Sequence, residues 1–137
     1  MKIRLIDFGL PVGFEPKRAH DNDAGADVYS TGTYIIPPNA IAKIPLGFGL
    51  ELPDGLAGFI FPRSGLSAKG IVCELPPIDS GYRGEVHAIV SNVGSSTYKV
   101  NKGDRIGQLV IVPALTPEFT FDKSAERGAG AFGSTGK

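Results

Sequence analysis

A chain of 137 residues and 14.4 kDa has room for one compact core, and a second full domain does not fit beside it. Fourteen Lys and Arg residues balance fourteen Asp and Glu for a formal net charge of +0, which argues against binding nucleic acid or an anionic membrane by bulk charge. With 42% hydrophobic and 20% charged residues the chain is expected to fold rather than stay disordered. The first expected element is a strand over residues 2–7, where Lys2, Arg4 and Asp7 interrupt the apolar residues and leave no signal-peptide core. Nineteen glycines and eleven prolines, spread along the whole length, break the chain before a helix of three turns can form. Short strands are expected over 34–36, 41–45, 47–52, 56–61, 85–91, 97–100 and 105–112. Within 47–52, Phe48, Leu50 and Leu52 alternate with Gly49 and Glu51, the period of a strand with one buried face. Pro53-Asp54-Gly55 then turns the chain. One helical turn or two is expected over 64–69. The result is an all-β class, a sandwich or barrel of many short strands.

The longest apolar run, residues 109–115, is too short to cross a bilayer. A single cysteine, Cys73, excludes an internal disulfide, and with two histidines the chain lacks a CxxC-type zinc set, so a cytoplasmic setting is expected. Residues 127–137 read RGAGAFGSTGK, which has no apolar periodicity. They are expected to form a flexible glycine-rich arm on a β domain of residues 1–126, with Phe132 there to land on a surface.

Five segments carry more specific chemistry than a β domain needs: DAGADVYS at 23–30, PRSGLSAKG at 62–70, IDSGYRGE at 78–85, GDRIGQ at 103–108 and RGAGAFGSTG at 127–136. Arg63, Ser64 and Gly65 end a strand and open the helical turn, where free N–H groups and the helix dipole favour an anion. The alternative reading of Ser64 is a plain N-cap, and the two are compatible. Asp79 near a phosphate can orient and deprotonate a water; without one it is a turn aspartate. Tyr82 is by default a half-buried strand aromatic, and Asp104 with Arg105 a local ion pair. The glycine-rich arm lacks the GxxxxGK[ST] order of a P-loop.

In this order and at these separations the five segments resemble the trimeric deoxyuridine triphosphatase (dUTPase) family, over about residues 23–136. The resemblance implies a jelly-roll-like β-barrel, a homotrimer with shared active sites, and hydrolysis of dUTP to dUMP and pyrophosphate with Mg²⁺. That reaction limits uracil in DNA and supplies dUMP for thymidylate synthesis. It further implies that Arg63, Ser64, Gly65 and Gln108 meet the phosphates, and that Asp79 activates water. Tyr82 would pack under the deoxyribose, and Asp27 would hold the metal's water shell. In the arm, Arg127 would face the γ-phosphate and Phe132 stack on the base, with Gly133, Ser134 and Thr135 beside them. Gly81 stands where many relatives are acidic. A larger departure is Cys73-Glu74-Leu75-Pro76-Pro77, where the family usually pairs a glycine-bearing hairpin with the uracil edge. Proline has no N–H to donate, so the remaining groups are carbonyls such as that of Pro77 and the amides of Cys73, Ile78 or His87. His87 is otherwise a strand side chain and Cys73 a small packed residue. Two rivals are a dCTP deaminase, which shares this fold family but needs a catalytic glutamate in another motif setting, and a catalytically silent nucleotide sensor or partner-binding protein.

Overall fold

In the computed structural model, which describes residues 1–121, ten strands and one helical turn follow in the order β1 (Arg4–Asp7), β2 (Ala26–Tyr29), β3 (Tyr34–Ile36), β4 (Ile41–Pro45), β5 (Phe48–Glu51), β6 (Leu56–Phe61), α1 (Ser64–Ser67), β7 (Ile71–Cys73), β8 (His87–Asn92), β9 (Tyr98–Val100) and β10 (Arg105–Pro113). All ladders are antiparallel: β1–β5, β2–β10–β6, β3–β9 and β4–β8–β7. Neighbours in a sheet are mostly distant in sequence, so the chain crosses repeatedly between sheets, and the all-β expectation holds. The sheets enclose one core built around Val28, Ile36, Ile44, Leu46, Phe48, Leu50, Val90 and Val100. Asn92 is buried among them with all its polar atoms used. Its Nδ2 donates to Ile36 O and Ser96 O, and its Oδ1 accepts from Gly94 N.

Strands 34–36, 41–45 and 56–61 lie where expected, and β2 and β7 are additional. β10 is the longest strand and the centre of its sheet; its register shifts between Arg105 and Gly107, so that Ile106 and Gly107 are both buried. A Cβ on Gly107 would stand 2.8 Å from Ile60 Cγ2 and 3.1 Å from Phe61 O, which keeps that position to glycine. The helix stops at Ser67 rather than at residue 69. Gly70 follows it at φ +84, with the backbone of Gly94 2.6 Å from where a Cβ would be. Two expectations are corrected. Arg63, not Ser64, is the N-cap, with extended backbone and no side-chain cap bond. Asp104 and Arg105 do not pair: the Asp104 carboxylate accepts Asn101 N in its own turn, while Arg105 Nη1 lies 3.7 Å from Asp27.

Candidate functional site

One cluster grows from the sheet β2–β10–β6. Asp27 on β2 and Phe61 on β6 are the register partners of Gln108 on β10, so the three side chains share one row and one face. Gly25 leaves space for Gln108, whose Nε2 donates to Pro62 O at 3.0 Å as the chain leaves β6. Arg63 follows at once, its Nε 3.9 Å from Asp27 Oδ1 and its Nη1 donating to Arg105 O at 3.2 Å. Asp27, with 22% of its side chain exposed, therefore sits between two guanidinium groups. The local balance is one negative against two positive charges, which favours an added anion. Ser64 and Gly65 lie exposed beside them. A helix of one turn has little dipole, so the attraction for an anion rests on the arginines and the Ser64 hydroxyl. Arg105 joins this cluster by register alone, a long-range relation that its sequence neighbours do not signal.

A second cluster lines a cavity of about 210 Å³ that includes Pro77, Ile78, Asp79, Tyr82 and His87. Ile78 is fixed by a two-bond bridge to Gly58 on β6, N to O at 2.7 Å and O to N at 3.0 Å. The chain then turns, Tyr82 N donating to Asp79 O at 3.0 Å, and the Tyr82 hydroxyl donates to Glu85 O at 2.8 Å. Asp79 is exposed, and its carboxylate has no hydrogen-bond or ion-pair partner among the described residues. Lys43, Glu74 and Glu85 also line the cavity. Lys43 is the lone charge in an otherwise apolar strand; its partner on β8 is Ile89, whose carbonyl also accepts from Glu74 N. That row became visible only once the register was known. Cys73 does not line the cavity. Its thiol is buried under β10, Sγ 3.7 Å from Ile106 O, and burial pushes its pKa up to about 11.

Within one chain the two clusters stay apart. Ile78 pairs with Gly58, and Ser80 Oγ donates to Asp54 Oδ1 in the turn before β6, so Asp79 lies by the start of that strand. Arg63 lies beyond its end. Arg63 is five positions beyond Gly58, about 16 Å at the rise of a strand, and among the described residues no hydrogen bond or ion pair links the clusters. Arg127, Phe132, Gly133, Ser134 and Thr135 lie outside the described residues. Among those described, no three His, Cys, Asp or Glu side chains gather to cage a metal, and no helix is long and apolar enough to cross a membrane.

Comparison with known proteins gives a consistent match. The dUTPase family model matches residues 14–136. The deoxyuridine 5′-triphosphate nucleotidohydrolase of Tropheryma whipplei (strain Twist) is 44% identical, over 91% of this chain and 90% of that protein. The enzyme of the same name from Clostridium tetani (strain Massachusetts / E88) is 44% identical, over 100% of this chain and 97% of its own length. Among solved structures, a mutant dUTPase from phage phi11 of S. aureus, described as coordinating a structural Mg(II) ion, is 28% identical. It superposes with a TM-score of 0.81 over 90% of this chain and 97% of that one.

Proposed function

Since the chain belongs to the dUTPase family, whose activity is the hydrolysis of dUTP, we propose that its two clusters are the two halves of a site completed between subunits of a homotrimer. The observation that carries this reading is their separation along β6, Asp79 by one end and Arg63 beyond the other. One subunit supplies the cavity for uracil, bounded by Pro77, Ile78 and His87, and Tyr82 as the wall beneath the deoxyribose. At 210 Å³ that cavity is below the ~300–1,000 Å³ that encloses a whole drug-sized ligand. It suits base and sugar, with the triphosphate outside. A neighbouring subunit supplies Arg63, Ser64, Gly65 and Gln108 for the phosphates. The arm, through Arg127, Phe132, Gly133, Ser134 and Thr135, closes the site. Leu115, Phe119 and Phe121, 93%, 90% and 108% exposed in a segment without ladder bonds, offer apolar side chains that a neighbouring subunit would cover.

In the reaction Asp79 takes a proton from a water whose oxygen attacks the α-phosphorus. The bond from that phosphorus to the oxygen bridging to the β-phosphate breaks, leaving dUMP, pyrophosphate and a proton. Asp79 suits a base because it is exposed and, among the described residues, its carboxylate is not tied to a neighbour. Asp27 is the one carboxylate of the phosphate cluster. With no protein cage among the described residues, that donor set fits Mg²⁺ bound mainly through phosphate oxygens and water. The ion would add charge neutralisation to that of Arg63 and Arg105. A reducing, cytoplasmic setting accords with the free, buried Cys73.

The test is pyrophosphate release from dUTP, dCTP, dTTP and UTP with and without Mg²⁺. Release from dUTP alone, dependent on the metal, is expected; ammonia from dCTP would move the chain to the deaminases, and no turnover at all would leave a nucleotide sensor.

A further inference from the structure

We infer that Glu85 is a positioning residue for the exclusion of ribonucleotides, because it holds Tyr82 in place from both its backbone and its side chain. The inference rests on the reading of Tyr82 as the wall beneath the deoxyribose. A wall excludes a hydroxyl only if it does not yield, and Tyr82 is 45% exposed, so packing alone does not fix it. The tyrosine hydroxyl is what is held: it donates to the Glu85 carbonyl at 2.8 Å. The same carbonyl faces His87 Nδ1 at 3.1 Å. A carbonyl only accepts, so Nδ1 carries the proton and the imidazole is held beside the tyrosine. One backbone oxygen thus orients two residues of the cavity.

That oxygen is itself anchored. The Glu85 side chain reaches the turn between β4 and β5, where Oε2 accepts from Gly47 N at 2.9 Å, 38 residues away in sequence. Val86 continues the attachment, its N donating to Phe48 O at 2.8 Å and its O accepting from Leu46 N at 3.0 Å. The glycines nearby permit this close approach. A Cβ on Gly84 would stand 2.5 Å from the Tyr82 hydroxyl and 2.6 Å from Cζ, and one on Gly49 would stand 2.6 Å from Gly84 O. The ring lies against bare backbone on one side, and its hydroxyl is tied to a residue pinned to the opposite turn.

The experiment compares kcat/KM for UTP with that for dUTP in the unaltered enzyme and in Tyr82→Ala, Glu85→Ala, Glu85→Gln and Gly84→Ala. The ratio is the readout, because partial unfolding lowers both substrates alike and leaves it unchanged. Glu85→Ala is expected to raise UTP relative to dUTP by about five- to tenfold, the loss of roughly one hydrogen bond's worth of restraint. Glu85→Gln, whose amide oxygen still accepts from Gly47 N, is expected to return the ratio to within about twofold of the unaltered enzyme. Gly84→Ala, whose methyl must push the ring aside, is expected to relax selectivity at least as far as Glu85→Ala. If Tyr82→Ala relaxes the ratio while Glu85→Ala and Gly84→Ala leave it alone, the positioning role is wrong and the reading of Tyr82 stands. If Tyr82→Ala also leaves it alone, both fall.

Discussion

Asp79 and Asp27 are both aspartates of motif segments, and their surroundings suit them to different work. Asp27 lies between Arg63 and Arg105 at 3.9 and 3.7 Å, so its charge is already answered. Asp79 is exposed where it lines the cavity, and among the described residues its carboxylate has no partner, which leaves it able to meet a water and a proton. Asp79→Asn removes the proton acceptor and keeps the shape, so folding and dUTP binding should persist while turnover drops roughly 10²- to 10⁴-fold. Single-turnover kinetics beside dUTP binding measures both, and turnover within a few-fold of normal would end the assignment. Cys73 offers a separate check on burial. Its thiol, ordinarily near 9.0, is pushed up to about 11 first by desolvation and then by the Glu74 charge. A raised folded-state value means the folded chain holds this proton more tightly than the unfolded one. The contribution to stability is therefore complete below pH 9.0 and lost as pH rises through about 11. Urea midpoints at pH 8 and pH 10.5 should fall further for the unaltered protein than for Cys73→Val, which has no proton to lose. Equal falls would mean the thiol titrates normally.

β10 shows which features of the fold were legible in the residues and which were not. Its length and apolar run made it a strand on inspection, as alternation did for β5. The ends differ where backbone is needed elsewhere. Gly47 sits at φ +83 and cannot continue β5 backwards, and Glu85 and Val86 bond to the β4–β5 region rather than extending β8. β2 and β7 were not legible: they are four and three residues long, too short for a period to declare itself, and β2 forms against a partner far along the chain. The cluster at Asp27 is a product of that register. Neighbours in sequence suggested an Asp104–Arg105 pair, but the Asp104 carboxylate is taken up by Asn101 N in the turn before β10, while Arg105, the first residue of the strand, reaches Asp27 across the ladder. The same coupling makes Gly25 testable. A Cβ there would run into Gln108 Oε1, so Gly25→Ala should displace Gln108 from Pro62 O without unfolding the sheet. The expected loss in kcat/KM for dUTP is about tenfold, the worth of one hydrogen bond to a charged group, and similar to that of Gln108→Ala. Because both changes break one contact, the double variant should be no worse than either alone; additive losses in the double-mutant cycle would show that Gly25 acts elsewhere.

Across the whole molecule, the division of the motif residues decides what assembly must do. On the proposed reading, a body that places Asp79 by the start of β6 and Arg63 beyond its end leaves water activation and phosphate binding to different subunits, and the arm of residues 127–137 is then expected to reach a neighbour. The five segments could be recognised in the sequence; the separation of Asp79 from Arg63 along β6 is visible only in three dimensions. Sharing has a consequence that no single-chain site can imitate. Take one chain with Asp79→Asn and a second truncated after Glu126, so that Arg127 and Phe132 are absent; each alone should be inactive. Unfolded and refolded together in equal amounts, they should assemble at random. A site then draws its Asp79 from the truncated chain and its arm from the other in about a quarter of cases, given closed threefold rings. Pyrophosphate release should return toward that fraction of the unaltered activity, and it should scale with the proportion of mixed trimers resolved by differently sized tags. Mixed trimers that form and stay inactive would mean that the arm closes over its own subunit's Asp79, since no mixture could then hold a complete site.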